Sequence, residues 1–454
     1  MAAPALTYRP SPRIASIALF LALISSAAMV YHHLGLFMPA LLRSRAAIGL
    51  GNGYSFGNDF YPVWLAAQRW LRDGQNPYSD AMTREIQHGL YGRTLDDRRP
   101  TDPKDQRMLA HPAFTLLLFW PATLLPFAVV RAVLLVVLTA MTFATVVLWT
   151  RVLAWNLPPA WIAVIALLTL SSYQALEGLF AVQLGLLVGF LLAASIRAVQ
   201  KRRFALAGVL MAIATIKPQV CALAILYLLL WSAHDWRTHD WRTRRRFSIG
   251  FFSTFAVLTG ASLALLPNWI FSWVHTLVAY HRYMFPTLVG HILTTLLGPP
   301  IVGPATSVIT AAAIFFAVAL AWRNRAVSAD SFQFQLAVSV LLAITTIAFL
   351  PGQGVYDHLI LLPGILLLVR YRNQLRRLGG SQRILVAVGA LVLFWPWATA
   401  IALALVQPLL PARYFFSPAI FQLPLRTAGS LPFAVLALLI YAMRINPQPN
   451  RESA

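Results

Sequence analysis

Asp59 stands in the run Asn58-Asp59-Phe60-Tyr61, inside residues 34–110, which hold eight of the chain's fourteen acidic residues. A carboxylate in such a hydrophilic stretch suits general-base chemistry, accepting the proton of a sugar hydroxyl, because burial and neighbours can tune it to the working pH. Phe60, Tyr61 and Trp64 follow closely and offer aromatic faces against which a sugar ring can pack. The same carboxylate could instead cap the helix-like run from Phe60 to Asp73, since Asp is a common N-cap. Both readings stay open at this level.

Lys217 is the only lysine in an apolar context, beside Pro218. A lysine at bilayer depth costs about 2.5–3.5 kcal/mol on insertion scales and is a functional candidate by default. At a hairpin tip it could hold a phosphate as a point charge, or it could snorkel to the interface. Glu177 and Gln183 share a second polar tip, and Gln353, Asp357 and His358 a third, where helix caps and intramembrane hydrogen bonds compete with substrate contacts. His275, His281, Arg282 and His291 fall in the polar-aromatic segment 268–300, with Arg282 able to meet a second anionic group. Asp73, Asp80, Glu85, Asp96, Asp97, Asp102 and Asp105 are mostly interleaved with arginine and read as solvated loop charge. No His cluster accompanies them, so no metal site and no cofactor is expected. GK[ST], HExxH, GxSxG and CxxC patterns do not occur, which leaves ATP-driven transport, zinc hydrolysis and serine acyl transfer without sequence support.

The elements that must position these residues are hydrophobic helices. The 454 residues are 59% hydrophobic and 11% charged, against about 25% charged in a soluble domain. Apolar runs at 14–31, 132–150, 247–266, 301–322, 332–350, 384–406 and 428–443 approach or reach the roughly 20 residues that span a bilayer, where backbone groups must be satisfied within a helix. The net charge of +22 falls in short clusters between apolar runs, the pattern of membrane topology rather than of nucleic-acid binding. The single Cys221 excludes an intrachain disulfide. Placing the clusters inside predicts an all-α polytopic protein of about twelve transmembrane helices with both termini cytoplasmic. Residues 1–13 form the cytoplasmic N-terminus, 14–445 one transmembrane domain, 34–130 a large outer loop within it, and 446–454 a cytoplasmic tail. Three hairpins, with arms 159–171 and 184–196, 204–216 and 219–231, and 332–350 and 359–369, have short arms. Thirteen residues rise only about 20 Å, less than the roughly 30 Å core, so their tips are expected around a cavity on the Asp59 side. Residues 111–130, broken by Pro112, Pro121 and Pro126, are read as an interfacial or re-entrant element.

In this order the motifs resemble glycosyltransferase family 87, membrane glycosyltransferases of the GT-C type that include polyprenol-phosphate-mannose-dependent mannosyltransferases. The resemblance rests on Asp59-Phe60, Trp64 and Ala66-Ala67 followed by Gly74 and Pro77-Tyr78, then His111-Pro112 and Pro121 with Leu125-Pro126-Phe127. Farther along stand Ala207-Gly208-Val209-Leu210 with Lys217-Pro218, Tyr283-Met284-Phe285-Pro286 with Gly290, and Tyr356-Asp357-His358-Leu359 with Pro363. The family's G-Q-x-N tip appears as Val182-Gln183-Leu184-Gly185, without its Gly and Asn. The resemblance implies a GT-C-type bundle with Asp59 as the base and with Lys217, Arg282 and His291 on the donor phosphate. Tyr61, Trp64, Tyr78, Gln183, Asp357 and His358 are its candidate substrate contacts. It also implies a hexose, mannose-like, passed from a polyprenyl-phosphate donor to a lipid or glycan acceptor. The site would face the periplasm or cell exterior from the inner membrane, with membrane lipids and no nucleic acid as partners. The competing expectation is a carrier or flippase for a lipid-linked saccharide. It would tend to show two matching halves, and no internal repeat is evident.

Overall fold

The apolar runs of the sequence become helices throughout a computed structural model that describes residues 12–50, 56–96, 98–234, 239–283, 287–297, 299–351, 354–377, 380–409 and 428–445. The first helix, α1 (Pro12–Val30), does not stop at the end of its apolar run. It passes through a π-helical segment, Tyr31–Phe37, into α2 (Met38–Ala47), so the helical backbone continues well into the stretch read from sequence as loop. Outside this rod come α3 (Tyr61–Asp73) and α4 (Asp80–Tyr91), both amphipathic and each ended by a left-handed glycine, Gly74 and Gly92. Ser79 caps α4 by accepting from the Met82 amide. Residues 111–130 fold as α5 (Ala113–Phe119) and a 3-10 turn, Trp120–Leu124, with Pro112 and Pro126 starting α5 and the next helix.

The rest of the chain is a helical bundle. Its helices are α6 (Phe127–Val152), α7 (Pro159–Leu170), α8 (Tyr173–Ala181), α9 (Leu184–Gln200), α10 (Phe204–Ala214), α11 (Pro218–Ala233), α12 (His239–Leu265), α13 (Trp269–Tyr283), α14 (Leu288–Leu297) and α15 (Pro299–Arg323). After them come α16 (Phe332–Ala348), a 3-10 segment Val355–Leu361, α17 (Leu362–Arg370), α18 (Arg372–Arg377), α19 (Gly380–Val406) and α20 (Leu431–Ala442). Among the described residues there is no named strand, only an isolated bridge between Thr287 and Pro351. α16 is buried from end to end except at Gln333. α10 lies directly on α12, because Gly208 faces the Phe247 carbonyl and Gly250 the Ala205 carbonyl, each so closely that a Cβ would collide with backbone.

Among the described residues, five helices are long and apolar enough to cross a membrane: Pro12–Ala47, Phe127–Val152, Arg242–Leu265, Val302–Arg323 and Arg383–Leu409. The bent pair α7 and α8, kinked by 62°, would make a sixth. The other apolar helices, α9, α10, α11, α16 and α20 among them, have 10–17 residues, short as the hairpin arms were expected to be, so helix length alone supports five or six full spans. The long helices expose Phe20, Val136, Val257, Phe315 and Leu391 on their outer faces, as lipid-facing surfaces do. This is an all-helical membrane protein.

The two ends of the bundle differ in chemistry. At one end Arg197 donates to the Arg151 carbonyl, Gln200 to the Val152 and Ala329 carbonyls, and Trp231 to the Val327 carbonyl. These bonds gather the arginine-bearing connections. The tips of the short helices are drawn together elsewhere, around Lys217.

Candidate active site

The structure joins four sequence-distant residues in one polar chain. Asp59 lies in the turn before α3, which is anchored to the end of α8: the Gly57 amide donates to the Phe180 carbonyl and the Asp59 amide to the Ala181 carbonyl. Phe60, not Asp59, occupies the N-cap of α3, and no side chain caps that end. The capping reading of Asp59 is therefore wrong. Its carboxylate turns the other way, where Gln183 Nε2 donates to Oδ2 at 2.7 Å and Arg107 Nη1 to Oδ1 at 2.9 Å. Gln183 passes the connection on, since its Oε1 accepts from Lys217 Nζ at 3.1 Å. Lys217 Nζ also donates to Asp357 Oδ1 and Oδ2, at 2.7 and 2.8 Å.

Lys217 is thus not the solitary or snorkelling cation that its neighbours in sequence suggest. It is 6% exposed and Asp357 3% exposed, and a buried charge without a partner is costly. The ammonium also lies 5.1 Å from the centroid of the Tyr356 ring, a cation–π distance. The carboxylate reaches it only because residue 185 is glycine: a Cβ there would stand 2.0 Å from Asp357 Oδ1. The neighbouring Val182 is held in the left-handed region, φ 53° and ψ 55°. A β-branched side chain is unusual there, and such strain persists where surrounding structure fixes it. It ends α8 and turns Gln183 toward both charged partners. The Gly of the G-Q-x-N pattern would meet this backbone demand at no steric cost.

The remaining candidates divide. His358 is buried beside Asp357, and neither ring nitrogen has a hydrogen-bond partner. The segment of His291 reaches this tip through its backbone, with the Leu288 amide bonded to the Leu350 carbonyl, while the His291 side chain is exposed. His275 on α13 is exposed too. The side chains of His281 and Arg282, and Gln353, lie outside the described residues. Tyr61, Trp64 and Tyr78 contact the protein's own chain. Trp64 Nε1 donates to the Ala122 and Leu125 carbonyls, Tyr61 packs between Trp64 and Phe127, and Tyr78 donates to the His111 carbonyl at 2.8 Å. They brace the outer segment while remaining half-buried.

Sequence reading missed Arg107, taken there for part of a solvated loop. That loop is in fact pinned. Asp102 is buried, bonded by Arg93 and by the Asp96 amide. The hydrogen bond from Arg93 is the main cause holding its carboxyl at about 2, below the usual carboxylate range. Gln87 Nε2 then fixes the Gln106 carbonyl, and Trp273 Nε1 the Ala110 carbonyl. His111 follows, half-buried and pushed down to about 3 by desolvation first and the charge of Lys217 second, so its ring is neutral. A second pair, a buried His33 with a half-buried Glu177, was also missed. His33 Nε2 lies 3.5 Å from Glu177 Oε2, and His33 sits in the π-helical segment of the first helix, a backbone irregularity that frequently accompanies functional sites. Among the described residues no group of three His, Cys, Asp or Glu side chains could hold a metal ion.

A family model describing glycosyltransferase family 87 matches residues 110–351, more than half of the chain. The chain belongs to glycosyltransferase family 87. No curated protein matches it. This family-87 glycosyltransferase contributes Gln183 and Lys217 from inside the matched stretch, while Asp59, Arg107 and Asp357 come from outside it and are brought in by the fold.

Two outcomes follow from this geometry. Gly185→Ala is expected to prise Asp357 from Lys217 and lower stability by on the order of 1–3 kcal/mol, read as an earlier thermal unfolding transition in detergent. Gly189→Ala on the same helix, where an added Cβ meets nothing within 4 Å, serves as the control and should leave the transition in place; equal effects would contradict the clash. For Asp102, a folded value below the unfolded one means that its stabilisation is complete above about pH 4 and lost as pH falls toward 2. Hydrogen-exchange protection of the Asp96 amide should therefore hold from pH 7 to about 4 and then decline. A decline already between pH 7 and 5 would count against the Arg93–Asp102 clamp.

Proposed function

We propose that this membrane glycosyltransferase transfers a mannose-like hexose from a polyprenyl-phosphate donor to a lipid or glycan acceptor. The reaction takes place at the outer face of the inner membrane, facing the periplasm or cell exterior. The observation that carries the reading is the unbroken chain from a carboxylate, through Gln183, to a buried cation. The two ends suit the two halves of the reaction. Asp59 Oδ1 and Oδ2 each accept one hydrogen bond and keep a lone pair for an acceptor hydroxyl. As that hydroxyl oxygen attacks the anomeric carbon, its proton passes to Asp59 and the bond from the anomeric carbon to the phosphate oxygen breaks. The electron pair leaves on the polyprenyl phosphate, where a fixed cation stabilises the growing charge.

Lys217 is that cation in this reading. Its three N–H donors already serve Gln183 Oε1 and the two oxygens of Asp357. A donor phosphate gains a hydrogen bond when Asp357 moves from two contacts to one, which frees one donor without stranding either charge. Asp357, His358 and Gln183 then line the donor side, with Arg282 and His291 contributing from the segment that adjoins the 351–358 tip. The short helices enter the bilayer as partial spans whose tips surround a polar cavity, a placement tolerated only where such a cavity exists. Counted with the long helices they make a bundle of about twelve crossings, of the GT-C type, with both termini cytoplasmic.

Asp59→Asn tests the base. Asparagine keeps the size and can still bond Gln183, and Arg107 keeps its contacts to Tyr91 and Asp105. Turnover with a polyprenyl-phosphate sugar should fall by about 10²–10⁴-fold, with donor KM nearly unchanged. Transfer within about threefold of the parent protein, normalised to folded protein, would remove Asp59 from the chemistry.

A further inference from the structure

We propose that Arg107 is a positioning residue of the transfer reaction, clamping the Asp59 carboxylate in the orientation from which it takes the acceptor's proton. The inference rests on Asp59 being the base. Asp59 sits in a turn rather than a helix, so its backbone alone leaves the side chain free to rotate. Two contacts remove that freedom, Gln183 on Oδ2 and Arg107 on Oδ1. They pull from different parts of the fold. Gln183 belongs to the Lys217 cluster, and without an opposing cation the carboxylate would be drawn toward that buried ammonium. Arg107 holds it back on the outer side, and the pair is largely shielded, with side chains 12% and 16% exposed.

Arg107 is itself preset. Its backbone lies in the left-handed region, φ 59°, a costly conformation for a residue with a side chain. Asp105 supports it twice, through Oδ1 on the Arg107 amide at 2.9 Å and Oδ2 3.7 Å from Nε. Tyr91, the last residue of α4, accepts from Nε at 3.1 Å. Gln87 bonding the Gln106 carbonyl and Trp273 bonding the Ala110 carbonyl anchor the segment on both sides. A side chain held at its amide, its Nε and its flanking peptides, with the guanidinium Nη1 delivered to one carboxylate oxygen, is built to fix that oxygen. Arginine suits this better than lysine, because its planar fork makes the Tyr91 and Asp59 contacts at once.

The test uses the full-length protein in detergent or nanodiscs with a polyprenyl-phosphate sugar as donor. Four variants are compared: Arg107→Met, Arg107→Lys, Asp59→Asn and the double variant Asp59→Asn/Arg107→Met. Arg107→Met is expected to lower kcat by about 10- to 100-fold, the range a misplaced reacting group produces, with donor KM within about twofold of the parent. Arg107→Lys should recover part of the loss. Because Arg107 acts through Asp59, adding Arg107→Met to Asp59→Asn should reduce kcat no further. A general loss of structure would instead multiply the two losses and raise KM. If Arg107→Met does not fold, Tyr91→Phe, which takes away the hydroxyl that accepts from Nε, should lower kcat several-fold at unchanged KM. Parent-like kcat in the folded Arg107 variants, or in Tyr91→Phe where that stands in, overturns the clamp while Asp59 remains the base, and so do multiplicative losses. Parent-like transfer by Asp59→Asn overturns both the base and the clamp.

Discussion

The ammonium of Lys217 is the constraint on which the rest of this site depends. It is buried inside the helical bundle, away from water, and a charge in that position survives only when paired and hydrogen-bonded. Asp357 supplies the opposite charge and Gln183 the third acceptor. That single requirement reaches into three hairpins. It asks for glycine at 185 so that the carboxylate can approach, and for a left-handed turn at Val182 so that Gln183 faces inward. It also needs a 3-10 segment after α16 that brings Asp357 to the depth of the lysine. Gln183 then extends the network to Asp59, which couples the outer loop to the bundle by a side-chain contact 124 residues apart in sequence.

Short helices are the architectural consequence. A full-length span buries its ends in the headgroups and has no tip at hydrocarbon depth. Arms of 10–17 residues stop short, and their unsatisfied backbone ends need polar company. The Lys217–Asp357–Gln183 cluster joins the tips of three such hairpins by side-chain bonds, and the segments from α3 to α5 adjoin it at Asp59. Nearby, Trp64, Tyr78 and Trp273 tie loop carbonyls down. Tyr78 and Trp273 hold the carbonyls of His111 and Ala110, and Trp64 those of Ala122 and Leu125.

Much of this was legible in the sequence because it is written in contrasts. A lysine within apolar helix, a Gln or Asp-His at a hairpin tip, and an acidic segment after the first helix stand out against hydrophobic background, and the fold class follows from the same contrast. Arg107 did not stand out. It is one of several arginines among aspartates, and only the pinned loop and its left-handed backbone distinguish it from Arg98 or Arg99. His33 was hidden for another reason: its partner Glu177 is distant in sequence, and the π-helical shift that orients it leaves no mark on apolar periodicity. The end of the first helix was misplaced for the same cause, since polar residues after Tyr31 look like a loop when a helix continues through them.

The central claim is that Lys217, released in part from Asp357, holds the phosphate of the lipid-linked donor. Steady-state transfer by the double variant Lys217→Gln/Asp357→Asn tests it most directly, because both charges go together and neither is left buried alone. Loss of one charge-assisted contact of about 1.5–3 kcal/mol should raise donor KM by about 10- to 150-fold, with acceptor KM and the unfolding transition close to the parent's. A folded double variant with the parent's donor KM would contradict the account and return Lys217 and Asp357 to a purely structural pair.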